Sequence, residues 1–143
     1  MGRMTLDQYF VATNVVAGIG WLMLLAAPLN RPLMVMLART AGVLLAVSYV
    51  VLFVMAWRSA EGFAATYSLP GIAAFFDVPG FVLVGWIHYL AFDLWVGSWE
   101  VEEAGRSRLA HWLVVPCLFF TYLLGPVGLL LFLLLRMVAA KKR

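Results

Sequence analysis

The chain has 143 residues, 65% of them hydrophobic and 12% charged, with a formal net charge of +3. An average soluble domain is roughly half apolar and about a quarter charged, so this composition describes a membrane protein, of a length that fits one domain, residues 1–143. The small, scattered positive charge argues against nucleic-acid binding; the single Cys117 excludes an internal disulfide, and no Cys/His cluster, Gly-rich phosphate loop or Gly-x-Ser-x-Gly elbow occurs.

A membrane-spanning helix needs roughly 20 mostly apolar residues. The first candidate is about 8–27, "QYFVATNVVAGIGWLMLLAA", stopped by Pro28. The opening "MGRMTLDQ" leads into a run too long for the apolar region of a cleaved signal. The second span is about 33–57. Residues 58–79 are too mixed to span and read as an interfacial or re-entrant connector, with "GIAAFFDV" as its amphipathic piece. The third span is about 80–98, followed by the charged loop "WEVEEAGRSRLA". The fourth is about 111–138, longer than needed and so expected to tilt or to kink at Pro116 or Pro126. Within it, "LLGPVG" is the one stretch that fits half of a broken helix. The expected fold is all-α, a four-helix transmembrane bundle.

Four spans put both termini and the 58–79 connector on one side. That side holds six basic residues (Arg3, Arg58, Arg136, Lys141, Lys142, Arg143), against four on the other (Arg31, Arg39, Arg106, Arg108). The bias places both termini in the cytoplasm, and the short basic chain reads as a bacterial inner-membrane protein. Trp21, Trp57, Trp95, Trp99 and Trp112 fall near span ends, as an aromatic belt does.

Ionisable residues inside spans are expensive and mark function by default. Three stand out: Arg39, His88 and Asp93. His88 and Asp93 are about 140° apart around their helix. His88 aligns with Phe92, Trp95 and Trp99; Asp93 aligns with Trp86, Tyr89, Gly97 and Glu100. Arg39 and Asp93 lie at matching depths, roughly 8–9 Å in from the same side at 1.5 Å per residue, which predicts an Arg39–Asp93 ion pair. His88 falls near the depth of Thr121, Tyr122 and Gly125. Gly125 and Gly128 allow close helix approach. Each residue also has a plainer reading. Arg39 snorkels to the headgroups, His88 is a satisfied core histidine, and Asp93 only pairs with Arg39. Glu100, Glu102 and Glu103 are a solvated loop, Asn14 is interhelical glue, and Cys117 is packing. His88, Asp93, Glu100 and His111 match no metal-ligand spacing, so no metal is expected.

The segment "LPGIAAFFDVPGFVLVGWIHYLAFDLWVGSWEVEEA" and, after a gap, "VVPCLFFTYLLGPVGLLLFLLLR" resemble the neoxanthin synthase-like family. This family of small integral membrane proteins is named for an abscisic-acid-deficient plant mutant. The resemblance covers roughly residues 69–136, with His-Tyr-Leu-Ala-Phe-Asp-Leu and the later Gly-Pro-x-Gly as its specific core. It implies a role in carotenoid metabolism. In plants the family is needed to form neoxanthin from violaxanthin, an isomerisation that opens a ring epoxide while a neighbouring carbon loses a proton. No redox cofactor is demanded, so none is expected. Such chemistry needs a general acid and a general base beside a lipid-soluble polyene. The resemblance therefore implies Asp93 or Glu100 as proton donor and His88 as base or orienting group. Trp86, Tyr89, Phe92, Trp95 and Asn14 would bind the substrate. The ligand is a carotenoid or another isoprenoid, and the other partners are membrane lipid and further copies of the chain. Two rivals stay open: a non-catalytic carotenoid-binding accessory subunit, and a transporter or proton-relay component.

Overall fold

A computed structural model of the chain describes residues 4–57 and 68–141. Every regular element among them is a helix: α1 (Leu6–Leu25), α2 (Arg31–Trp57), α3 (Leu69–Phe76), α4 (Pro79–Arg106), α5 (His111–Leu124) and α6 (Pro126–Lys141). The protein is a helical bundle, but with six helices where four were expected. Three of them, α1, α2 and α4, are long and apolar enough to cross a membrane.

The α4 helix is the hub. α1 runs parallel to it: Asn14 meets Trp86 near one end, and Trp21 packs on Gly97 near the other. α2 runs antiparallel, so Phe53 meets Phe81, Tyr49 meets His88, and Arg39 meets Ser98. Leu24, Leu45, Ile87 and Leu94 are fully buried between these helices. α1 starts on a capping box, in which Thr5 and Gln8 satisfy each other's backbone N–H groups. The third expected span, α4, runs on to Arg106, eight residues past the expected end at 98, so the charged loop expected after it is mostly helix.

The fourth expected span is corrected outright. Residues 111–138 do not form one tilted helix but two helices folded back on each other. Gly125 breaks the run with φ +44° and ψ −90°, a backbone region that L-residues rarely adopt. Pro126 then opens α6, a position where its missing N–H costs nothing. The reversal shows in the register. Along α4, Asp93 lies against Gly125, Trp99 against Phe132, and Glu103 against Arg136. α6 therefore runs parallel to α4. In the other arm Thr121 lies against Glu100, so α5 runs antiparallel. A Cβ on Gly128 would overlap the Thr121 backbone and hydroxyl and crowd the Cys117 carbonyl. In a continuous helix, positions 121 and 128 would be about 10 Å apart. Pro116 lies inside α5 without ending it.

The α5–α6 hairpin thus enters the bundle from the Arg106 end, turns at Asp93, about 20 Å along α4 from Arg106 at 1.5 Å per residue, and returns. This corrects the expectation that both termini share a side: the Leu6 end of α1 and the Lys141 end of α6 lie at opposite ends of the bundle. Of the expected 58–79 connector, residues 58–67 lie outside the described residues. The rest forms α3, capped by Ser68, with no buried residue and with Phe76 against Gly85.

Candidate functional site

The two faces of α4 expected from the sequence separate onto two sides of the bundle. One face meets α1 and the hairpin. Trp86 stacks on Tyr89, with ring centroids 5.5 Å apart, and tilts against Phe10 at 5.9 Å. Its indole N–H points at the Asn14 side-chain oxygen at 3.4 Å, while the Asn14 amide donates to the Phe10 carbonyl at 2.7 Å. Tyr89 donates its hydroxyl proton to the Tyr122 carbonyl at 2.8 Å, a group that α5 leaves open near its C-terminal end. Tyr89 sits one turn before Asp93 on the same face of α4.

Asp93 lies directly under the hairpin tip. A Cβ on Gly125 would sit 2.7 Å from Asp93 Oδ1, so the turn is glycine both for its backbone angle and for this approach. Asp93 Oδ2 is buried and accepts no hydrogen bond. The hairpin covers α4 only from Asp93 toward Arg106. On the other side of the tip the same stripe continues as Tyr89, Trp86 and Val82 and opens into a groove of about 280 Å³, lined by Phe10, Pro79, Val82 and Trp86 among others. Trp86 and Val82 are exposed there.

Glu100, two turns further along that face, is fully buried. Thr121 Oγ1 lies 2.9 and 3.1 Å from its two carboxyl oxygens. It shares the Asp93 face as expected, but it is enclosed by α5 and open to no groove. The reading of Glu100, Glu102 and Glu103 as a solvated loop fails for all three. Glu102 takes Arg39 at 2.6 Å and Arg106 at 3.0 Å, and Glu103 takes Arg136 at 3.0 Å.

The other face of α4 meets α2. His88 stacks on Phe92 at 4.5 Å and tilts on Tyr49 at 5.7 Å. The expected Arg39–Asp93 ion pair is not made. Depth alone suggested it, but Arg39 meets α4 on the Trp95, Ser98 and Glu102 face, away from Asp93. Arg39 binds Ser98 through Nε at 3.1 Å and then reaches Glu102, one turn nearer the helix end, while its guanidinium lies over the Trp95 ring at 5.4 Å. Its side chain thus runs toward the Arg106 end of α4. For the same reason the structure does not bring His88 to Asp93 or Glu100. His88 was matched in depth to Thr121 and Gly125, but those residues belong to the hairpin on the far side.

The site thus gathers Asn14, Trp86, Tyr89, Asp93 and, behind them, Glu100. It leaves His88, Phe92 and Trp95 elsewhere. It adds Thr121, Tyr122 and Gly125, whose partnership with α4 depends on the chain reversal. The Gly125–Pro126 pair was the available signal. Among the described residues no three His, Cys, Asp or Glu side chains gather as metal ligands would.

Residues 8–132 match the family described as ABA DEFICIENT 4-like. No curated protein and no solved structure matches the chain.

Proposed function

The chain belongs to the ABA DEFICIENT 4-like family, and from that premise we propose that it is a membrane enzyme acting on a carotenoid or related isoprenoid by a redox-neutral isomerisation. The observation that carries the reading is Asp93. It is a half-buried carboxyl in an apolar bundle, with no cation beside it among the described residues and one oxygen buried without a partner, on the same helix face as Tyr89 and as Trp86 and Val82, which line a groove further along. A structural carboxylate in lipid is expected to be paired. Every other acid on this half of α4 is bound: Glu100 to Thr121, Glu102 and Glu103 to arginines.

The polyene would lie along Val82, Trp86 and Tyr89 with its polar end ring toward Asp93, beside the hairpin tip. For a ring epoxide, the protonated Asp93 carboxyl gives its proton to the oxygen as the C–O bond breaks. The resulting carboxylate then takes the proton from the vicinal carbon as the new double bond forms. One group serves as acid and base in turn, the proton count closes, and no oxidant is used. Tyr89, bonded to the Tyr122 carbonyl, and Glu100, bonded to Thr121, hold the hairpin arm in place. The basic end of the bundle, which carries Arg31, Arg39, Arg106, Arg108, Arg136 and Lys141, faces the cytoplasm of a bacterial inner membrane in this reading. Both termini in the cytoplasm is no longer part of it.

Expression in a carotenoid-producing host, with extracts compared by chromatography and mass detection, tests this. The intact protein should yield a new compound of unchanged mass, and Asp93→Asn should not, while both reach the membrane equally. His88→Ala should keep the product. A product made equally by Asp93→Asn removes the mechanism. An unchanged profile with pigment bound to the purified protein supports the accessory, non-catalytic role instead.

A further inference from the structure

The groove where α2 meets α4 carries Arg31 and Arg39, and the isomerase chemistry uses neither. A groove of about 550 Å³ runs between α2 and α4 at the basic end, lined by Arg31, Val35, Arg39, Thr40, Trp95 and Glu102, among others. A second hollow of about 240 Å³ continues it deeper, over Gly42, Ala46, Ala91 and Phe92, and the two share Val43 and Trp95. The result is one open channel, charged at the membrane surface and apolar below. Small residues at Gly42, Ala46 and Ala91 form the slot, and the rings of Trp95 and Phe92 form its wall.

The charges in the groove are unequal. Arg39 is matched by Glu102, which also serves Arg106. Arg31 has no carboxylate partner among the described residues, and its Nε is buried without a hydrogen bond. Its side chain is pressed onto Gly105, where a Cβ would overlap the guanidinium. An unmatched guanidinium, held in place at the mouth of an apolar slot, calls for an anion with a hydrocarbon tail. All six described basic residues lie in this half of the bundle, whereas Asp7 and Asp77 lie at the other end. In the orientation proposed above, that half lies in the cytoplasmic leaflet, whose lipids carry negative charge.

We propose that this groove holds an anionic phospholipid, its phosphate against Arg31 and one acyl chain running past Thr40 and Trp95 to Phe92. The site lies on a different face of α4 from Asp93, and its test needs no isoprenoid. It gives Trp95 and Phe92 a part in binding a lipid rather than the substrate.

Purified full-length protein is titrated with phosphatidylglycerol, with phosphatidylcholine of the same chains, and with glycerol phosphate, reading bound lipid by native mass spectrometry and stability by thermal melt. Phosphatidylglycerol should bind at least fivefold tighter than phosphatidylcholine, on the scale of one basic residue at a membrane surface. Arg31→Gln should erase that preference. Arg31→Gln also removes packing, so Thr40→Glu, an exposed site in the same groove, serves as second variant and should erase it as well while melting like the parent in lipid-free detergent. Equal binding of both lipids, or a preference that survives both variants, overturns the proposal. So does an equal effect of glycerol phosphate alone, which would make this a site for soluble anions.

Discussion

The hairpin reversal can be tested by adding single methyl groups. An alanine at Gly128 puts a Cβ into the Thr121 backbone and hydroxyl and against the Cys117 carbonyl. Backbone cannot rotate away, so α5 and α6 must separate, and overpacking of this kind costs about 1–3 kcal/mol. Gly125→Ala adds a backbone penalty of about 1 kcal/mol at φ +44° and sets the methyl 2.7 Å from Asp93 Oδ1. Gly18→Ala in α1 meets nothing within 4 Å. There the usual helix preference applies, and alanine is neutral or stabilising by up to about 1 kcal/mol. Thermal unfolding of the three variants in one detergent should therefore split by sign: Gly18→Ala at or above the parent, Gly125→Ala and Gly128→Ala clearly below. If residues 111–138 were one continuous helix, a methyl at 128 would sit two turns from Thr121 and Gly128→Ala would behave like Gly18→Ala. That result would refute the hairpin and, with it, the placement of Asp93 under a tip.

Sidedness follows from the same fold. In a Cys117→Ala background, cysteines placed at Thr5 and Lys141 should react with an impermeant maleimide from opposite faces of sealed vesicles; labelling from one face would restore the four-span topology. Thr121→Val leaves the fully buried Glu100 without its hydroxyl partner and should destabilise by about 1–3 kcal/mol, while Thr121→Ser restores most of the melt. A double-mutant cycle on Arg39→Met and Glu102→Gln should give a coupling of below about 1 kcal/mol, since both side chains are about a third exposed. The cycle of Arg39→Met with Asp93→Asn should be additive within about 0.5 kcal/mol; a larger coupling would revive the ion pair expected from depth.

Much of the architecture was legible because hydropathy and length are one-dimensional signals. The three long helices begin within two residues of the expected starts at 8, 33 and 80. The assignment of Asp93, Tyr89, Trp86 and Glu100 to one face follows from helix period alone, and the structure keeps it. The fourth span failed because hydropathy cannot tell one long helix from two short ones folded together: both are a continuous apolar run. The difference lies in Gly125, Pro126 and Gly128. The pair Gly-Pro permits the reversal, and Gly128 permits the contact that follows it. Such residues were read as a kink and a close approach, which is what they are locally. Their joint consequence needs three dimensions.

The same limit explains the mispaired charges. Depth along a helix is readable from sequence only roughly and azimuth between helices not at all: Arg39 stands level with Ser98, about 7.5 Å along α4 from Asp93 at 1.5 Å per residue, and on another face. The correction makes Asp93 more informative. With Arg39 beside it, the carboxylate would be explained by its partner, and its cost in the bilayer would be offset in the fold. Without Arg39, Asp93 keeps a buried oxygen that nothing in the described chain satisfies. Asparagine would avoid the charge and leucine the polarity altogether. A carboxyl there favours neither stability nor insertion, which is why the proposed mechanism rests on it: only a carboxyl supplies a transferable proton at that spot, on the helix face it shares with Tyr89 and Trp86.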